Sequence, residues 1–114
     1  MERPRIRHVA IGVPAGQREQ LADYYKKVFR MEETGRSPNG GIYLSDGYLC
    51  LALINNRAKA PGINHFGFQV GSIGEIEEAA QAQAQDNVHG AEAEKIIRDP
   101  EGNLIDICVR GWPT

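Results

Sequence analysis

Residues 5–13 alternate between two kinds of side chain. Arg7, Val9, Ile11 and Val13 fall on one face of an extended chain, and Ile6, His8, Ala10 and Gly12 fall on the other. This predicts a strand with one face built for burial and a second, small face that carries a histidine. Pro14-Ala15-Gly16 breaks the strand. Over 17–30 the period becomes helical: Leu21, Tyr24, Tyr25, Val28 and Phe29 recur at three and four and predict a single apolar stripe against the core. Lys26, Lys27 and Arg30 crowd the last turns, where cations suit the helix dipole. A short strand over 32–36 leads to the Pro38-Asn39-Gly40-Gly41 turn, and strands over 42–44 and 48–54 follow. The last is apolar on both faces, with Leu49, Leu51 and Leu53 on one and Cys50, Ala52 and Ile54 on the other. The polar stretch 55–62, with Pro61, reads as a joint.

Beyond the joint the same order returns. Residues 63–70 form a predicted strand in which Ile63, His65, Gly67 and Gln69 share a face opposite Phe66, Phe68 and Val70. Ser72 with Glu75 three residues on is a capping box, opening a helix through about Gln85 that the alanine-rich 79–84 favours. Short strands over 88–92 and 94–98, a turn at Asp99-Pro100-Glu101-Gly102 and a strand over 103–110 complete the chain, with Leu104, Asp106 and Cys108 on one face and Ile105, Ile107 and Val109 on the other.

The two halves are one unit written twice. Ile6-Arg7-His8-Val9-Ala10-Ile11-Gly12-Val13 is echoed 57 residues on by Ile63-Asn64-His65-Phe66-Gly67-Phe68-Gln69-Val70. The element order is βαβββ, twice. An α+β fold follows: two modules, about 1–56 and 62–114, in a single domain, each a curved sheet with one helix on its convex side.

Composition narrows the classes. A chain of 114 residues with 41% hydrophobic and 25% charged residues is an ordinary globular domain. A formal charge of −2 gives no basic footprint for nucleic acid, and no apolar run is long enough to span a bilayer. Met1-Glu2-Arg3-Pro4 does not open a signal peptide, and Cys50 and Cys108 sit in apolar runs as buried thiols rather than a disulfide, so a cytoplasmic protein is expected.

By alternation His8, His65 and Asp106 all fall on the face turned away from the helices. Polar groups there cost free energy unless satisfied, and two imidazoles with one carboxylate form a metal-ligand set of the kind that holds non-haem Fe(II) with open positions. Ala10, Gly12 and Gly67 are small enough to leave room beside it. The competing account is of core histidines bonded to backbone or to Asp106.

The paired strand motifs, the Asp99-Pro100-Glu101-Gly102-Asn103 turn and the double βαβββ order resemble the vicinal oxygen chelate superfamily. That group includes glyoxalase I, extradiol dioxygenases, fosfomycin-resistance proteins, methylmalonyl-CoA epimerase and bleomycin-binding proteins. The resemblance implies the glyoxalase/bleomycin resistance/dioxygenase-like fold and a ligand from the first strand of each module, matching His8 and His65. A third comes from the last strand of the second module, usually a glutamate three residues after Gly-Asn; here it is Asp106, one methylene shorter. Glyoxalase- and epimerase-like members carry a further Glu or Gln on the last strand of the first module. Its expected counterpart is Leu51, flanked by Leu49 and Leu53, which together are expected to wall a substrate pocket. The resemblance therefore implies a three-ligand, dioxygenase-like metal enzyme binding a small-molecule substrate through vicinal oxygens, with Fe2+ first and Mn2+, Zn2+ or Ni2+ as other ions. Ile96 and Ile97 stand where ring-cleaving members keep a tyrosine, and His89 is the one spare histidine, in a polar loop. The alternatives are a metal-free binding or resistance protein and a glyoxalase I-like lyase. Exposed sheet edges and the family habit together imply a homodimer with sites shared between subunits.

Overall fold

The computed structural model describes residues 3–55, 62–87 and 94–114. Its contacts divide the chain into two compact units: His8–Asn64 with Trp112–Thr114, here the first unit, and Met1–Arg7 with His65–Gly111, the second. Among the described residues there are eight strands, paired in both parallel and antiparallel fashion, and two α-helices.

In the first unit β1 (Arg5–Val13, from His8 on) pairs in parallel with β4 (Cys50–Asn55); β4 pairs antiparallel with β3 (Ile42–Ser45), and β3 with β2 (Glu32–Arg36). The β2–β3 connection turns at Gly40, whose φ of 90° a side chain would strain, and Ser37 closes it by donating its N–H to the Gly41 carbonyl. Asp46 Oδ1 accepts the Tyr48 and Leu49 N–H groups at 2.9 and 2.8 Å, an Asx turn that delays β4 until Cys50.

α1 (Arg18–Phe29) follows a 3-10 turn over Ala15–Gln17 and ends at Arg30 in the left-handed conformation, its N–H bonded to the Tyr25 carbonyl. The core beneath it is Val13, Ala22, Ile42, Leu44, Leu51 and Leu53, with Val9, Ile11, Leu21, Tyr25 and Met31 packed on the rim. Burial of each of the four large aliphatics contributes about 1.5–3 kcal/mol. The helix meets the sheet along Arg18, Leu21, Ala22 and Tyr25, and tiny Ala22 allows close approach. The expected single stripe is therefore corrected: Tyr24, Val28 and Phe29 lie on the exposed flank of the helix.

The second unit carries β5 (Gly62–Gln69, from His65 on), paired in parallel with β8 (Leu104–Cys108); β7 (Glu94–Arg98) and the two-residue β6 (Gln85–Asp86) extend it antiparallel. α2 (Ile73–Ala80) starts as expected, with Ser72 Oγ accepting the Glu75 N–H at 3.1 Å. It stops five residues before the predicted end. Gln81 turns left-handed, and the Glu77 carboxylate accepts the Ala84 N–H at 2.8 Å, releasing the chain to pair as β6 with β7. Tertiary pairing here overrides the helical preference of an alanine-rich run. The strand predicted over 88–92 and most of the predicted joint lie outside the described residues.

Candidate metal centre

Asp106 sits in the middle of β8, 1% exposed. The turn before that strand is tied down by Asp99, whose carboxylate accepts the Glu101 and Asn103 N–H groups and the Asn103 side-chain amide. That last bond is the main reason the Asp99 carboxyl is held below the usual carboxylate range. Register places Gly67 opposite Asp106 on one side and Ile96 on the other. Gly67 has no side chain to fill its place, which lets the imidazole of His65, two residues earlier on the same face, lean toward the carboxylate. His65 Nε2 lies 3.0 Å from Asp106 Oδ2. A carboxylate this deep needs such a partner, because burying it alone costs several kcal/mol or more.

In the first unit His8 is buried on β1, on the face turned from α1, and its ring stacks on that of Trp112. The register shows its neighbours. Cys50 lies opposite His8, Ala52 opposite Ala10 and Ile54 opposite Gly12; across β4, Ser45 lies opposite Cys50 and Tyr43 opposite Ala52. Tyr43, Ser45, Cys50, Ala52 and Ile54 thus share the His8 face.

This overturns the expected pocket wall of Leu49, Leu51 and Leu53. Leu51 lies opposite Val9 and Leu53 opposite Ile11, so both belong to the core under α1, and Leu49 precedes the strand. The counterpart of Asp106 is corrected with it. Asp106 is opposite Gly67, two residues past His65; Ala52 is opposite Ala10, two residues past His8. Ala52, like Leu51, offers no side-chain oxygen, so the argument against a fourth carboxylate holds at a different residue. Sequence reasoning passed over Tyr43, the repeat counterpart of Ile96, and Trp112. Alternation in β3, with Ile42 and Leu44 on the core side, marks Tyr43; no pattern marks Trp112. Cys50 and Cys108 are buried and are not joined in a disulfide. His89 lies outside the described residues.

The donor types are ones a divalent metal takes: in the second unit His65 offers an imidazole nitrogen and Asp106 a carboxylate oxygen, and in the first unit His8 offers an imidazole nitrogen. The 3.0 Å between His65 and Asp106 is also about the separation of two neighbouring ligand atoms on one ion with bonds near 2.1 Å.

No family model matches the sequence and no curated protein does. Solved structures do match. The 2,3-dioxygenase LapB of Pseudomonas sp. KL28 superposes on 92% of this chain with a TM-score of 0.69 and 23% identity; the chain spans 42% of its length. Methylmalonyl-CoA epimerase of Streptomyces coelicolor matches 90% of this chain and 92% of its own, with a TM-score of 0.63 and 17% identity. A glyoxalase/bleomycin resistance protein/dioxygenase superfamily member of Vibrio splendidus 12B01 matches 93% and 98%, with a TM-score of 0.56 and 17% identity. No helix among the described residues is long and apolar enough to cross a membrane. With its paired βαβββ order and these likenesses, the chain has the vicinal oxygen chelate fold, that of the glyoxalase, bleomycin resistance and dioxygenase proteins.

Proposed function

We propose that the chain is a small metal-dependent enzyme, dioxygenase-like, that takes a substrate presenting two neighbouring oxygens. His65 and Asp106 hold a divalent ion together with His8, their repeat-related partner. The observation that carries this reading is the His65–Asp106 pair at 3.0 Å, with its carboxylate buried in the middle of β8. An ion bound there supplies Lewis-acid stabilisation of negative charge developing on substrate oxygens. The rest falls to the chain. Ala52 leaves the first unit without a fourth ligand, which supports a three-ligand site and speaks against glyoxalase I-like chemistry. The phenol of Tyr43 and the hydroxyl of Ser45 stand on the His8 face as hydrogen-bonding groups for orienting a substrate, while Cys50 and Ile54 keep that face apolar and favour a substrate with an aromatic or hydrophobic part.

The test is oxygen consumption by the chain loaded with Fe2+, Mn2+, Zn2+ or Ni2+ and offered catechols, with thiol adducts and fosfomycin screened for transfer or lyase activity. Metal-dependent turnover of a vicinal diol or its analogue supports the reading. Tight binding of a ligand that is indifferent to metal overturns it in favour of a sequestering protein. Mixing His8→Ala with Asp106→Ala protein tests the expected shared-site homodimer: metal binding returns only if the ligands come from two chains.

A further inference from the structure

Trp112 is the one tryptophan of the chain, and its ring lies flat on His8, with centroids 4.6 Å apart and planes at 9°. The approach to it is built with care. Gly111, immediately before it, holds a φ of 77°, and a Cβ there would come within 2.8 Å of the Gln69 side chain. Gln69 is itself fixed by a 3.2 Å bond from its Nε2 to the Val109 carbonyl and by a 3.1 Å bond accepted from Arg7. The positive φ favours a glycine at 111, while the close contact falls on the end of the Gln69 side chain. Gly111 is the residue immediately before Trp112, so a change in its backbone acts on the residue that carries the ring.

Parallel stacking restricts an imidazole in a way a hydrogen bond to one nitrogen does not. Rotation of the ring out of the stacked plane would lose overlap, so the plane of His8, and with it the direction in which its ring nitrogens point, is held. An indole face is also electron-rich. An imidazole that donates to a divalent ion becomes electron-poor, so the stack is stronger with metal bound than without it, and by linkage the stack then strengthens metal binding.

We infer that Trp112 is a positioning residue for His8, raising the affinity of the site for a divalent ion by holding the imidazole plane. This rests on the metal reading above. The experiment is a Co2+ titration of parent, W112A, W112F and G111A, read by chelator competition, with thermal melts as the check on folding. W112A should bind Co2+ about 10-fold or more weakly, the scale seen when residues that orient a ligand are removed. W112F, which keeps a flat ring, should recover most of the loss, and G111A, which touches neither ring, should weaken binding in the same direction. In the parent, Trp112 emission should be quenched as Co2+ saturates. A parent that binds no Co2+ overturns the metal reading and this inference with it. A parent that binds while W112A binds equally well overturns this inference alone. So does a W112F that binds as weakly as W112A, since the stack would then not be what matters.

Discussion

The two units repeat one plan but spend their side chains differently. In the first, α1 covers a layer in which Ile42, Leu44 and Leu53 are all but inaccessible, and the position across from the residue two past the histidine is occupied by Ala52. In the second, α2 buries none of its residues, Phe66 and Phe68 are only half-buried, and the same position is Asp106. The well-packed half carries one candidate ligand, and the thinly covered half carries two in direct contact. The tightly packed layer and the pair of candidate ligands lie in different copies of the repeat.

The largest effect that would break this contrast is expected of Leu51→Glu. A carboxylate there enters the apolar layer under α1, and the chain should lose about 3 kcal/mol or more of stability in denaturant unfolding. If it instead folds normally and gains metal affinity, Leu51 faces the site and the register correction is wrong. Leu44→Ala should cost about 2–5 kcal/mol, and Phe68→Ala in the second unit clearly less than a fully buried phenylalanine would. Equal losses at the two would erase the difference between the layers. Ser72→Ala removes the α2 cap and should cost about 1 kcal/mol.

How far these faces could be read from sequence depended on whether a strand has one polar side. The faces of β1 differ, with Val9, Ile11 and Val13 on the core side, and alternation alone put His8 on the other. β4 is apolar on both sides, so the choice between Leu51 with Leu53 and Cys50 with Ala52 is made by its register against β1, which no local pattern carries. The error over the pocket wall came from there. The end of α2 failed for a related reason: pairing with β7, a long-range event, decides it. The stripe of α1 was drawn too wide because Tyr24, Val28 and Phe29 keep helical spacing while lying on the flank. Trp112 was invisible because its stacking on His8 joins residues from opposite ends of the sequence.

The smallest effect concerns the first unit's surface. Glu33 accepts bonds from Arg36 and Lys26, and Arg36 also pairs with Glu19. Chiefly through Arg36, the Glu33 carboxyl is lowered from 4.5 to about 2. A depressed carboxylate contributes stability above its unfolded value and loses it as pH falls through the folded one. The melting-temperature gap between parent and Glu33→Gln should therefore be small but present at pH 6 and should close between pH 4.5 and about 2. A gap that is unchanged at the acid end would mean the pairs contribute nothing in solution.

The central claim is that Asp106 and His65, with His8, form a metal centre rather than a structural ion pair. Elemental analysis after anaerobic loading with Fe2+ and desalting tests it most directly, on parent and His65→Ala protein side by side. The account predicts about one ion per chain in the parent and a small fraction of that in the variant. Equal content in the two, or a parent that retains no metal, would contradict it.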